Sequence, residues 1–142
     1  MNRIGTKGRF GLVLVAIVFG VSCSKATVGT AGVRTDGLYQ TGSGGDQGYG
    51  YLRFYSDGSV LSVTSTGTPE QVAKWLKKGK EWVGEGKADI QGANIKFSSS
   101  TKEGTVDYEG TVQVNALAMR SYSHINEYRA ENQYKFVHVP VD

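Results

Sequence analysis

Few side chains in this sequence are equipped for bond-making chemistry. Cys23 is the only cysteine, and His124 and His138 are the only histidines. One thiol allows no intramolecular disulfide and none of the Cys pairs or quartets of structural zinc sites. Two histidines far apart in the chain make a poor ligand set, because mononuclear zinc takes three or four side chains. No metal or other cofactor is therefore expected. His124 falls in a predicted loop among Ser123, Asn126 and Glu127, while His138 lies on the last predicted strand, in phase with Tyr134 and Phe136. Asp107 and Glu109 stand two apart, on one face of a predicted strand. Such a pair serves as acid and base only where burial or like charge separates the two pKa values; a solvent-facing stripe opposite Val106 and Tyr108 is the plainer reading. No Gly-x-Ser-x-Gly elbow occurs. The Gly-rich loop at 42–48 lacks the following Lys and Ser or Thr, and the helix, of a phosphate-binding loop. A non-enzymatic chain is the expectation.

Binding chemistry is better represented. The eight tyrosines all follow Cys23, and each offers a flat apolar ring with a polar tip, suited to ligand pockets, glycan stacking, protein interfaces or ordinary sheet. The candidate ligand-binding residues are Tyr51, Tyr55, Trp75, Trp82, Tyr134 and His138.

Charge excludes one class of partner. Three of the 16 Lys and Arg residues, Arg3, Lys7 and Arg9, precede Cys23, so the remaining 13 balance 13 Asp and Glu. Nucleic acid binding draws on clustered, uncompensated cations. The one basic cluster, Lys74, Lys77, Lys78 and Lys80, reads as the solvated face of a helix.

Arg3, Lys7 and Arg9 also form the positive start of an export signal, followed by an apolar run over 10–21. Twelve apolar residues are too few to cross a bilayer core as a helix, which takes about 20, but they suit the hydrophobic segment of a cleavable signal. Gly20-Val21-Ser22-Cys23 then resembles the lipobox of bacterial lipoproteins, although Gly20 stands where that family usually has Leu or another aliphatic residue. The resemblance implies a signal peptide at 1–22, a diacylglycerol and palmitate-type anchor on Cys23, and a tether over 23–35. With Ser24 and not Asp after the cysteine, it implies the outer membrane, facing the periplasm or the surface. Cleavage after Ala26, which would leave the protein periplasmic or secreted, is the competing reading. An unacylated lone thiol would be a liability in an oxidising compartment.

From Asp36 onward the chain reads as one β-rich domain, 36–142. Strands are predicted at 37–41, 49–55, 60–66, 82–90, 94–99, 105–114, 116–122 and 133–139. Asp57-Gly58 supplies the turn of the best hairpin. Along its first arm Leu52 and Phe54 share one face, while Tyr51, Arg53 and Tyr55 share the other. A single helix is predicted over 69–78: Thr68 caps it, Pro69 opens it, Gln71 completes a capping box, and Gly79 closes it. Val72, Trp75 and Leu76 form its apolar stripe, placed to cover a barrel mouth or a sheet face. Gly84, Gly86 and Gly110 mark bends. Short sequential connections predict an antiparallel up-and-down meander of about eight strands, closing into a small barrel, with the helix inserted after the third strand.

Gly37-Leu38-Tyr39, the run from Phe54 to Val60, the run from Val106 to Val112 and Tyr134-Lys135-Phe136 together resemble small bacterial lipocalin-like domains. This resemblance implies a calyx for a small apolar ligand or lipid and brings no catalytic residues with it. The helix after the third strand departs from the usual lipocalin arrangement. Two functions follow as expectations: a lipoprotein binding a small apolar molecule in its barrel, or one docking on another envelope protein or glycan through an aromatic sheet face. Convergence of Leu52, Phe54, Val63, Phe97, Leu117, Met119 and Phe136 inside the barrel would remove the pocket from the first.

Overall fold

A computed structural model describes residues 32–42 and 46–142. The export signal and Cys23 lie outside the described residues. Nine strands and one helix follow in the order β1 (Leu38–Thr41), β2 (Tyr49–Phe54), β3 (Ser59–Ser65), α1 (Pro69–Trp75), β4 (Gly84–Lys87), β5 (Asp89–Gln91), β6 (Asn94–Thr101), β7 (Gly104–Gln113), β8 (Ala116–Ser123) and β9 (Arg129–Val137). All pairings are antiparallel. β1 pairs with β9 through Tyr39↔Phe136, and β4 meets β6 at Glu85↔Ser100, so eight strands close into a barrel and β5 is an addition on β6.

The expected hairpin forms as the alternation dictates. Asp57 Oδ1 accepts from the Ser59 amide at 2.8 Å, and Gly58 takes φ 88°, a conformation that side-chain-bearing residues resist. β2 and β3 then pair from Tyr49↔Ser65 to Phe54↔Val60. Lys78 Nζ lies 2.8 Å from Asp57 Oδ2, and its ammonium, followed by the Ser59 amide, holds the Asp57 carboxyl far below the usual carboxylate range.

The strand expected over 82–90 is interrupted at Ala88. Its two parts keep one register against β6, Glu85↔Ser100 and Asp89↔Lys96. The Ala88 amide donates to the Gly58 carbonyl at 2.8 Å, in line with the β3–β4 register, and Ala88 packs against the interior cluster. Gly84 and Gly86 are places of close approach: a Cβ on Gly84 would run into Ser99 Oγ, and one on Gly86 into the Ser98 carbonyl. β9 begins at Arg129, four residues before the expected start, since 129–132 pair with β8. It ends at Val137.

Alternation along each strand separates two cores. Inside the barrel, Tyr39, Leu52, Phe54, Val60, Ile95, Phe97, Leu117, Met119 and Tyr134 pack together, with Phe136 and Tyr108 beside them. Tyr39 and Phe97 meet Phe54 edge-on, at ring-centroid distances of 5.6 and 6.1 Å. Outside it, Leu38, Tyr51 and Leu61 are covered by Val72, Ala73 and Leu76 of the helical segment and by Val139. Helix α1 therefore lies on the outer face of the β1–β3 wall. Both faces of β2 are buried.

Arg53 ties this outer layer down. It is 2% exposed; its Nη1 donates to the Leu76 carbonyl at 2.7 Å, its Nη2 donates to the Asp142 backbone carbonyl, and its guanidinium sits 4.6 Å from the Tyr55 ring centre. The capping box at Thr68 and Gln71 forms as expected. The helix nevertheless stops at Trp75, because the Leu76 carbonyl turns to Arg53, and Gly79, at φ 87°, lies beyond its end.

The packed domain starts before Asp36. Val33 packs against the interior cluster, the Arg34 amide donates to the Tyr39 hydroxyl at 2.8 Å, and the Arg34 guanidinium covers the Phe136 ring at 4.0 Å. Residues 33–36 thus cap one end of the barrel.

Candidate functional site

The barrel interior has two halves, set by which side chains occupy inward positions. Phe54, Val60, Ile95, Phe97, Leu117, Met119 and Phe136 fill the half near Val33 and Arg34. Further along the same strands, Gly50, Ser62, Thr64, Ser99, Thr101, Ser121 and Ser123 stand in the same inward phase. Small residues leave the other half open, as two overlapping lobes of about 530 and 520 Å³ that share Gly50, Thr64, Val106, Tyr108 and Tyr134. The interior expected to form an apolar calyx is accordingly filled where it is apolar and open where it is hydroxylated. Six of the seven residues expected to converge do so. Val63 is the exception: it lies outward, against the layer that includes Trp75.

Two tyrosines make the floor. Tyr108 stacks on Phe97, with centroids 4.7 Å apart and planes at 17°. Tyr134 is 5% exposed and borders both lobes. Burial raises both phenols above their ordinary value; the neighbouring Tyr108 raises Tyr134 further, while a hydrogen bond with Ser62 tempers Tyr108.

A gap in the wall opens this space sideways. β4 begins at Gly84, opposite Ser62, so residues 63–65 of β3 have β2 on one side and no strand on the other. The gap is bounded at its inner end by the 2.5 Å hydrogen bond between Ser62 Oγ and Ser99 Oγ. Trp75 and Trp82 stand at its lip, with ring centroids 4.8 Å apart, and Trp82 is 55% exposed. Among the described residues no charged side chain lines this lobe. Asp46 is the charged side chain bordering the other.

Of the candidate binding residues, Tyr51, Trp75, Trp82 and Tyr134 border the same lobe. Tyr51 does so from behind, its hydroxyl already committed to the Gly67 carbonyl at 2.6 Å and to Gln40 Nε2 at 3.0 Å. Tyr55 is elsewhere, on the outer face with Arg53 and with Lys78 Nζ 4.5 Å from its ring. His138 is also elsewhere. Its strand has ended, and its exposed ring lies 3.6 Å from Asp36 at the capped end. Sequence reasoning did not single out Ser62, Thr64, Ser99, Thr101 and Tyr108. Their signal was the inward phase they share with large residues on the same strands.

On the outward face of the β2 arm Tyr51 is buried, and Tyr49 and Tyr55 are partly buried. Tyr49, Tyr51 and Tyr55 belong to the outer layer beneath α1 and the C-terminal residues.

Asp107 and Glu109 point outward. Glu109 Oε1 accepts from Arg120 Nη2 at 2.8 Å. Asp107 accepts from Ser98 Oγ at 2.6 Å and lies 2.6 Å from His124 Nε2; Ser98 first and His124 second hold its carboxyl below the ordinary value. Here the carboxylate stands between hydroxyl and imidazole. A serine nucleophile needs the imidazole itself against its hydroxyl, to take the proton. Among the described residues no three His, Cys, Asp or Glu side chains gather as a metal site.

No family model matches the sequence, and the comparisons with curated proteins and with solved structures give no match either.

Proposed function

We propose that this chain is a non-enzymatic envelope lipoprotein that takes up a small molecule in the open half of its β-barrel. The observation that carries this reading is the contrast within one interior, where a half packed with aromatics adjoins a half lined by small, hydroxylated residues that stays open above Tyr108 and Tyr134. The lobe has the size of ordinary small-molecule sites, roughly 300–1,000 Å³. Tether and anchor rest on the lipobox-like residues 20–23 and on the apolar run before them, with the outer membrane as destination.

The test of binding is mass spectrometry of small molecules extracted from the purified protein. A stoichiometric compound is expected, and its loss from a Ser99→Leu, Ser121→Leu variant that still folds places it in the open half. Recovery of no compound, with a specific protein partner retained instead, would overturn the reading in favour of docking. For the anchor, Cys23→Ala is expected to release the protein from membranes. Unchanged mass and unchanged membrane association would remove the lipobox assignment.

A further inference from the structure

The chemistry of the open half narrows what it could hold, and we infer that its ligand is a neutral, hydroxyl-rich ring of the sugar type, seated on the Tyr108 and Tyr134 floor and reached past Trp75 and Trp82. This inference rests on the binding reading above and adds the ligand class.

Three observations carry it. First, among the described residues no charged side chain lines the lobe opening at the wall gap, so an ionic ligand would be stripped of water with no counter-charge from them to meet it. Second, hydroxyls face the space from several strands: Ser62 and Thr64 on β3, Ser99 and Thr101 on β6, Tyr108 on β7 and Tyr134 on β9. A hydroxyl donates and accepts by rotating its proton, so such a wall matches a ligand whose own groups do both. A hydrocarbon would offer no partner to those of them not already bonded, as Ser62 and Ser99 are to each other. Third, the aromatic rings supply what a hydroxyl wall lacks. A sugar ring presents C–H groups on one face and hydroxyls around its edge, and the first stack on flat rings while the second reach the walls. Tyr134, whose hydroxyl lies beside Gly50 on the wall of this lobe, is placed to bond such a ligand.

Both tryptophans of the chain stand at the gap, so their fluorescence reports directly on occupancy. The full chain, purified in a detergent without a sugar headgroup, is titrated with glucose, maltose, N-acetylglucosamine and its β-1,4 disaccharide, and in parallel with glucuronate and with decanol. A saturable change with at least one neutral saccharide is expected, with glucuronate at least tenfold weaker than glucose. Tyr134→Phe keeps the ring and removes only the hydroxyl, and is expected to weaken binding about tenfold, the loss of one hydrogen bond. Thr64→Val, nearly isosteric and close to the mouth, is a second variant whose unchanged thermal unfolding certifies the fold. Saturable binding of decanol with none of the saccharides would overturn the ligand class while leaving a binding barrel. Saccharide binding untouched by both variants would overturn the placement on this floor. A flat response to every probe, from protein that also yields no extractable compound, would overturn the binding reading itself.

Discussion

The two halves of the barrel share the same strands and differ in what those strands turn inward. On β6, Ile95 and Phe97 face the filled half, and Ser99 and Thr101 the open one; on β8, Leu117 and Met119 give way to Ser121 and Ser123. The β6–β7 and β7–β8 ladders run unbroken through both halves, while the β3–β4 pairing stops at Ser62 on the open side. Side-chain volume, together with that gap, separates solid core from open space. The packed core of this domain therefore lies in one half and its open space in the other, an arrangement in which the residues lining the space can change without loss of the fold.

That division predicts a graded response to substitution. The largest effect is expected from Phe54→Ala in the filled half, where loss of the ring and its edge-on contacts with Tyr39 and Phe97 should cost about 3–5 kcal/mol, read from denaturant midpoints. A loss below about 1 kcal/mol would mean that this half is not the core. Gly86→Ala comes next, at about 1–3 kcal/mol, because the added methyl meets the Ser98 backbone and no rotamer can relieve it. Alkaline titration offers a milder test. Tyr39, Tyr108 and Tyr134 have raised pKa values through burial. The stabilisation linked to their neutral forms is fully present below about pH 10, the unfolded value, and is lost as pH climbs through the higher folded values. Absorbance at the phenolate band should show these three lagging the exposed tyrosines and appearing together with unfolding. Smallest of all is Ser121→Ala in the open half, expected within about 0.5 kcal/mol of the parent; a cost as large as that at Phe54 would erase the distinction between the halves.

How much of this was legible follows from what alternation encodes. Hairpin β2–β3, the capping box and the meander order could be read because turn chemistry and period-two patterning are local. β9 was read short at its start, since Arg129, Glu131 and Gln133 face solvent and leave no apolar rhythm. The interruption at Ala88 was invisible, since Ala88 keeps the inward phase of Gly84 and Gly86 and no turn residue marks it. For the site, Trp75, Trp82 and Tyr134 were singled out for ring area and size, which aromatic residues announce. The serines and threonines were passed over, because a small polar residue in an inward position looks like a lapse in the pattern until the strands around it show the same lapse at the same level. Tyr55 and His138 were singled out by type, while their surroundings were set by Arg53 and Asp36.

The chain enters the barrel at Val33 and Arg34, at the blind end. Val33 follows Cys23 by ten residue steps, a span of at most about 33–36 Å when fully extended. If Cys23 carries the proposed anchor, the tether would hold the solid base nearer the lipid than the open half. Cargo would arrive from solution, and a molecule leaving the bilayer would first meet a closed wall.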